Sequence, residues 1–496
     1  MSYGVSHSRP KTHIRRAAVV LAAALLPSLL PAAGKPAAIE VSTERIEQAI
    51  QSHILEATRA GDGHFRVPFE GKVLELELVR VHTEYLADLG GGVQFACVDL
   101  VGSDGPVYDV DFFMKGLPGP ATVTETTVHK IDGQPIYAWD QKDDGTWIRV
   151  PVTEAPDRLL GVIRGEDQFE FVYRVKLPSL SGPARLWIPL AQSDGYQTVR
   201  VEEIRAPASR RELDERAHGN KVLFMTFGPE DVGSTVEVRY DVRRLEKSAY
   251  AATEARPQVY LAPEGLVPTT DNFRKIAREV IKGKPTDLMR ARALYDHVIK
   301  KLRYAKYGPG WGRGDAVYAC DAKSGNCSDF HAYFIALARA VGIPARFAVG
   351  AAIPSERDDG GIDGYHCWAE FYADRKWWPV DVSEADKNAR LATYYFGHNP
   401  ANRIELSRGR DLVVDPGPAS GPINFLAQPV LEVAGKPVKI KADFSFRREP
   451  CENQAGRTRQ AADRAPSKID NTAAPDSRTL RPSSEGAGRI PSPTVQ

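Results

Sequence analysis

Three residues in the C-terminal half, Cys327, His366 and Asp381, have the types and spacing for nucleophilic chemistry at a carbonyl carbon. Cys327 stands in Gly325-Asn326-Cys327-Ser328-Asp329-Phe330-His331, just ahead of Phe334, Leu337 and Val341 at helical steps, a run that Gly342 and Pro344 end. A cysteine in the first turn of a helix faces unpaired backbone N–H groups and the positive end of the macrodipole, which favour thiolate over thiol. Taken alone, a cysteine is more often a small buried apolar residue. Two further segments change that balance. Gly364-Tyr365-His366-Cys367-Trp368-Ala369-Glu370-Phe371-Tyr372 and Trp377-Trp378-Pro379-Val380-Asp381 read as the strands of one hairpin, broken at Ala373 to Lys376. Folding there sets His366 within about one ladder step of Asp381. The carboxylate can then hold the imidazole while the imidazole takes the thiol proton.

These segments, together with Gly342-Ile343-Pro344-Ala345-Arg346, resemble the transglutaminase-like core over roughly Thr286 to Asp386. The resemblance implies an α+β, papain-related catalytic domain of an exported bacterial branch, with Cys327, His366 and Asp381 as its triad. It leaves the reaction open, because the superfamily includes protein crosslinkers, proteases, peptide amidases and inactive copies. Ser328 and Asp329 follow the cysteine where animal-type transglutaminases usually have an aromatic residue, and no calcium loop is evident. The expectation is therefore thiol-dependent acyl transfer on a protein or peptide, cell-wall peptide included, with hydrolysis ahead of transamidation. The alternative is a non-catalytic peptide- or cell-wall-binding protein on the same fold.

Rival readings of the same residues are weaker. Cys320, Cys327, His366 and Cys367 have types that suit zinc, yet they lack the closely paired ligands of a structural site and leave Asp381 unused. No metal or cofactor is expected. Gly308-Pro309-Gly310-Trp311-Gly312-Arg313-Gly314 looks like a phosphate loop, but no strand leads into it and no helix follows directly. A flexible wall or lid beside the cleft fits it better. Tyr318 and Trp311 are the candidates for a second oxyanion donor beside the Cys327 N–H. Cys320 and Cys367 are candidates for a disulfide bracing the cleft.

The elements that must position these residues fall into several units, as 496 residues are too many for one core. Lys11, Arg15 and Arg16 precede an apolar run from Ala17 to Leu30, followed by Ala32, Ala33 and Gly34, so residues 1–38 read as a secretory signal. Residues 39–150 read as a helix with Ile46, Ile50 and Ile54 on one face, capped by Thr43, lying on antiparallel strands near 73–81, 93–101, 107–114 and 123–131. Residues 165–247 alternate as a β-sandwich, with the mixed-charge stretch Arg205 to Arg216 as a solvated loop or short helix. Two β-rich domains thus precede a catalytic domain at 257–447, expected to hold the whole apparatus, with helices from Asp271 and Thr286. A disordered tail follows at 450–496. With 65 basic and 64 acidic residues there is no global field to attract nucleic acid, and after signal cleavage no segment could span a bilayer. The expected location is periplasmic or secreted.

Overall fold

The computed structural model describes residues 43–448, apart from 83–86, 89–91, 104, 118, 120, 142–146 and 252–255. The signal-like segment at 1–38 and the tail at 450–496 lie outside the described residues. Helix α1, Thr43–Ala60, buries Ile46, Ile50 and Ile54 as their spacing requires. Thr43 is its first helical residue. Beneath it lies an antiparallel meander whose main strands are Phe65–Phe69, Lys72–Val81, Val93–Gly102, Val107–Lys115 and Thr122–Ile131. Alternate residues face opposite ways in a strand, so Val98, Leu100, Val110, Phe112 and Val128 pack on α1. Their neighbours Cys97, Asp99, Asp109 and His129 line a cavity on the other face.

The sandwich differs from the expected unit at 165–247. One sheet runs Gln197–Arg205, Thr235–Leu245, Glu166–Lys176, Ala442–Arg447 and Asp359–Ile362; the other runs Arg210–Glu215, Asn220–Phe227, Ala184–Leu190, Val430–Val433 and Lys436–Val438. Strands from both inside and beyond the Cys-His region therefore complete it. The physical reason is the open edge left by each early strand: Glu166–Lys176 pairs on one side with Thr235–Leu245 and on the other with Ala442–Arg447. Phe171, Tyr173, Val238 and Tyr240 meet Leu186, Leu223, Leu431 and Phe444 in a shared core. The boundary read at 257–447 cuts through this sandwich. Arg210–Glu215 is a strand rather than a loop or short helix; it pairs with Asn220–Phe227, turning Arg210, Arg211, Glu212 and Asp214 to solvent and burying Leu213 and Glu215.

The third unit places the candidate residues. Helices α2 (Asp271–Val280) and α3 (Asp287–Lys301) are N-capped by Thr270 and Thr286, whose hydroxyls accept from Phe273 N and Met289 N. Helix α4, Ala316–Ala322, leads to α5, Cys327–Ala340, which is buried on every side from Cys327 to Arg339. A helix enclosed in this way is a core element. It packs on an antiparallel sheet whose central strands are Ala345–Ala352 and His366–Ala373, with Lys376–Val380 beside the latter. The expected hairpin is present: Ala373 pairs with Lys376 around Asp374 and Arg375, both at positive φ as a two-residue type I′ turn needs. Helix α6, Val382–Lys387, starts directly after Asp381.

Candidate active site

Cys327 is the first residue of α5, and Asn326 is its N-cap, with Oδ1 accepting from Ser328 N at 3.0 Å. Asp329 closes the capping box by accepting from Asn326 N at 3.0 Å. The same carboxylate accepts from Gly312 N at 2.7 Å and Gly314 N at 2.9 Å. Burial lifts the Asp329 carboxyl to about 6 against the pull of these backbone donors. The glycine loop is thus tied to the start of α5, not free as a lid would be. Gly314 is at φ +63°, which favours glycine, and a Cβ there would stand 2.5 Å from Arg410 Nη1 and force that guanidinium to shift.

His366 opens the first hairpin strand, and Asp381 follows the second. The register pairs Ala369 with Val380, which leaves His366 and Asp381 diagonal rather than directly opposed. The side chains close the gap: His366 Nε2 donates to Asp381 Oδ2 at 2.6 Å. Asp381 Oδ1 accepts from Ser383 Oγ at 3.0 Å and Glu384 N at 3.1 Å, so the residue that orients the imidazole also caps α6. The other His366 nitrogen is left for Cys327, to which the ring is hydrogen-bonded, with Glu384 Oε1 3.9 Å from Nδ1.

The electrostatics follow from this geometry. Burial raises the Cys327 thiol, but hydrogen bonds from Cys367 and His366 and the imidazolium charge hold it well below the ordinary thiol value. Burial alone would lower His366; the charge and hydrogen bond of Asp381, followed by those of Cys327, raise it to about 9. Burial also disfavours the Asp381 carboxylate, and the His366 charge outweighs this to hold it well below the usual range. The favoured state is thiolate beside imidazolium beside carboxylate.

The three sequence-identified residues therefore meet at one place. The expected Cys320–Cys367 disulfide does not: both are free thiols, Cys320 bonded to Tyr333 and Cys367 directed at Cys327 and at His331 Nδ1, 3.9 Å away. Tyr318 packs its ring against Gly310. Sequence reasoning gave no role to His331, although it lies four residues after Cys327 on the same helix face, a spacing that could have revealed it. It also gave the N-terminal module no part in the site. A cavity of about 610 Å³ runs from His366, Tyr304 and Glu384 to Phe95, Phe113 and Trp139 of that module. Arg80 Nη2 to Asp363 Oδ1 at 2.9 Å and Arg303 Nη1 to Gly105 O at 2.6 Å tie the module in place.

A buried cysteine heading a core helix thus meets a hairpin histidine and an aspartate at the next helix start. Residues 274–382 match the model of the transglutaminase-like superfamily, and the chain carries that domain. Beyond it, an uncharacterized protein of Haemophilus influenzae is 26% identical over 321 residues, 55% of this chain and 86% of its own length. Among solved structures, a Cytophaga hutchinsonii protein provisionally described as a cysteine protease shares 15% identity, covering 57% of this chain and 99% of its own, with TM-score 0.38. The periplasmic domain of TgpA from Pseudomonas aeruginosa shares 16%, covering 52% and 86%, with TM-score 0.26.

Proposed function

We propose that the protein is an exported thiol-dependent acyl-transfer enzyme acting on protein or peptide amides, with Cys327, His366 and Asp381 as its catalytic triad. The observation that carries this reading is the position of His366, bonded at 2.6 Å to Asp381 through Nε2 and hydrogen-bonded to Cys327. The Cys327 thiolate attacks the carbonyl carbon, forming a C–S bond, and His366 delivers its proton to the leaving amine as the C–N bond breaks. Water, deprotonated by His366, then releases the acid and restores the thiol. Hydrolysis is favoured over transamidation because water needs no second-substrate site.

The cavity volume falls in the ~300–1,000 Å³ range of pockets that enclose a ligand segment. Export is supported by the basic, apolar and small-residue order of the first 38 residues. Among the described residues no helix is long and apolar enough to cross a membrane. The test is a peptide and cell-wall fragment library offered to the wild type beside Cys327→Ala. Turnover that Cys327→Ala abolishes, with an acyl-enzyme mass adduct on the wild type, supports the assignment. Equal turnover by both proteins, or binding without any turnover, refutes it.

A further inference from the structure

The face of the N-terminal sheet turned away from α1 carries a second cluster of chemistry-bearing residues. Cys97 and Asp111 are cross-strand partners, as are Asp99 and Asp109, and His129 stands on the next strand beside a bulge. One donor atom each from Cys97, Asp109, Asp111 and His129 lies within 4.8 Å of all the others. Cys97 and Asp111 are almost completely buried, at 3% and 0% exposure.

Hydrogen bonding fixes which atoms face one another. Asp111 Oδ2 is satisfied by Tyr137 Oη and Trp139 Nε1, each donating at 2.8 Å. His129 Nε2 is 3.0 Å from the Tyr137 carbonyl, which can only accept, so Nε2 carries the proton. Nδ1 of the same ring stands 3.4 Å from Asp111 Oδ1, and both atoms are buried without a hydrogen-bond partner. A ring nitrogen and a carboxylate oxygen facing each other in this way suit a cation held between them. An imidazolium–carboxylate pair would close to ~2.7–2.9 Å with a directed hydrogen bond, and this contact has neither. Cys97 hydrogen-bonds Asp109, whose other oxygen takes Lys130 Nζ at 2.9 Å.

We propose that Cys97, Asp109, Asp111 and His129 form a zinc site in the wall of the substrate cavity, separate from the Cys327 centre. Thiolate and imidazole donors select a borderline-soft ion over calcium or magnesium. Four protein ligands make the closed tetrahedral set of a structural site. Donors ~2.0–2.3 Å from zinc stand ~3.3–3.8 Å apart, so the cluster draws in by about an ångström at its widest. Charge balances too: zinc and Lys130 together offset the Cys97 thiolate and the two ligating carboxylates. The His129 ring donating its far N–H to a backbone carbonyl, and Asp111 held by Tyr137 and Trp139, are the outer contacts that orient metal ligands. The zinc would lock three strands whose side chains line the cavity reaching His366.

The experiment uses the full chain, purified without a metal-affinity column, stripped with chelator and titrated with Zn²⁺ or Co²⁺. Expected are one zinc per chain by elemental analysis and a sulfur-to-cobalt charge-transfer band. Cys97→Ser should lose the band, while Cys327→Ala should keep both metal and band, separating this centre from the thiol site. Tyr137→Phe, removing one outer contact, should weaken zinc binding by ~10–100-fold. The site is overturned if the folded wild type takes up neither metal, or if Cys97→Ser retains stoichiometric zinc and the cobalt band. It is also overturned if nitrogen NMR shows His129 doubly protonated in metal-treated protein.

Discussion

His331 Nδ1 donates to the carbonyl oxygen of Cys327 at 2.7 Å, and across the same ring Nε2 accepts the backbone N–H of Val382 at 3.0 Å. One fully buried imidazole thus joins the turn bearing the nucleophile to the turn bearing Asp381. Its two partners fix the neutral Nδ1–H tautomer, in keeping with burial lowering its pKa. His331→Phe strands the Val382 N–H at ~1–3 kcal/mol, while the Cys327 carbonyl keeps its helical bond along α5 and loses only its second donor. The expected result is a loss of about 1–3 kcal/mol in urea unfolding and slower alkylation of Cys327. Unchanged stability and labelling would show the bridge to be idle.

The His366 shift sets the pH behaviour. Its folded pKa of about 9 lies above the unfolded value near 6.5, so its stabilisation is complete below pH ~6.5 and is lost as pH rises through about 9. With Cys327 held low, iodoacetamide labelling of Cys327 should stay flat from pH ~6 to ~8, where an ordinary thiol near 8.5 loses tenfold per unit on acidification. His366→Gln should restore the ordinary slope. A wild-type profile that already has that slope would remove the ion pair from the mechanism.

Glu370 is buried among Lys247 Nζ at 3.1 Å, Arg346 Nε at 2.8 Å and Tyr250 Oη at 2.8 Å. It fastens the stretch leaving the sandwich to the central sheet. Glu370→Ala removes the nearest carboxylate from two buried cations, leaving Lys247 with Glu405 at 3.8 Å and Asp194 at 4.0 Å, and should cost at most ~3–5 kcal/mol by chemical denaturation. Burial opposes the Glu370 carboxylate, but Lys247 and Arg346 hold it well below the usual range. Its contribution is therefore present above the unfolded value near 4.3 and fades only as pH falls further. A measured cost under ~1 kcal/mol would contradict this account.

The fragment 257–447, which the sequence suggested as self-sufficient, should aggregate when expressed alone. It would expose the edges of Ala442–Arg447 and Val430–Val433, whose partners Glu166–Lys176 and Ala184–Leu190 are missing. A fragment from residue 165 to 448 restores those partners and should be soluble, with Cys327 open to alkylation. Cooperative melting of 257–447 as a monomer would count against the shared sandwich.

What the sequence made legible was local. Four strands of the first module, both capped helices and the His366–Asp381 hairpin follow from apolar periodicity and turn chemistry, and they lie within a few residues of expectation. Partnership between distant strands was not legible: the alternation in Ala442–Arg447 says that it is a strand but not that Glu166–Lys176 awaits it. The mixed charges of Arg210–Glu215 hid a strand because an edge strand can turn most of its residues to water. His331 looked like one more helix residue, since its importance depends on Val382, which is near only after the hairpin closes.

Arg448 binds Asp167 with Nη2 to Oδ2 at 2.8 Å, across 281 positions of chain. The strand just before Arg448 sits inside its sheet, not at the rim. During synthesis, then, the sandwich waits with an open slot until nearly all the described chain has emerged. The ribosome makes the thiol centre before the scaffold that brackets it can shut. A chain built this way carries an unfinished sandwich for almost the whole time it is being made.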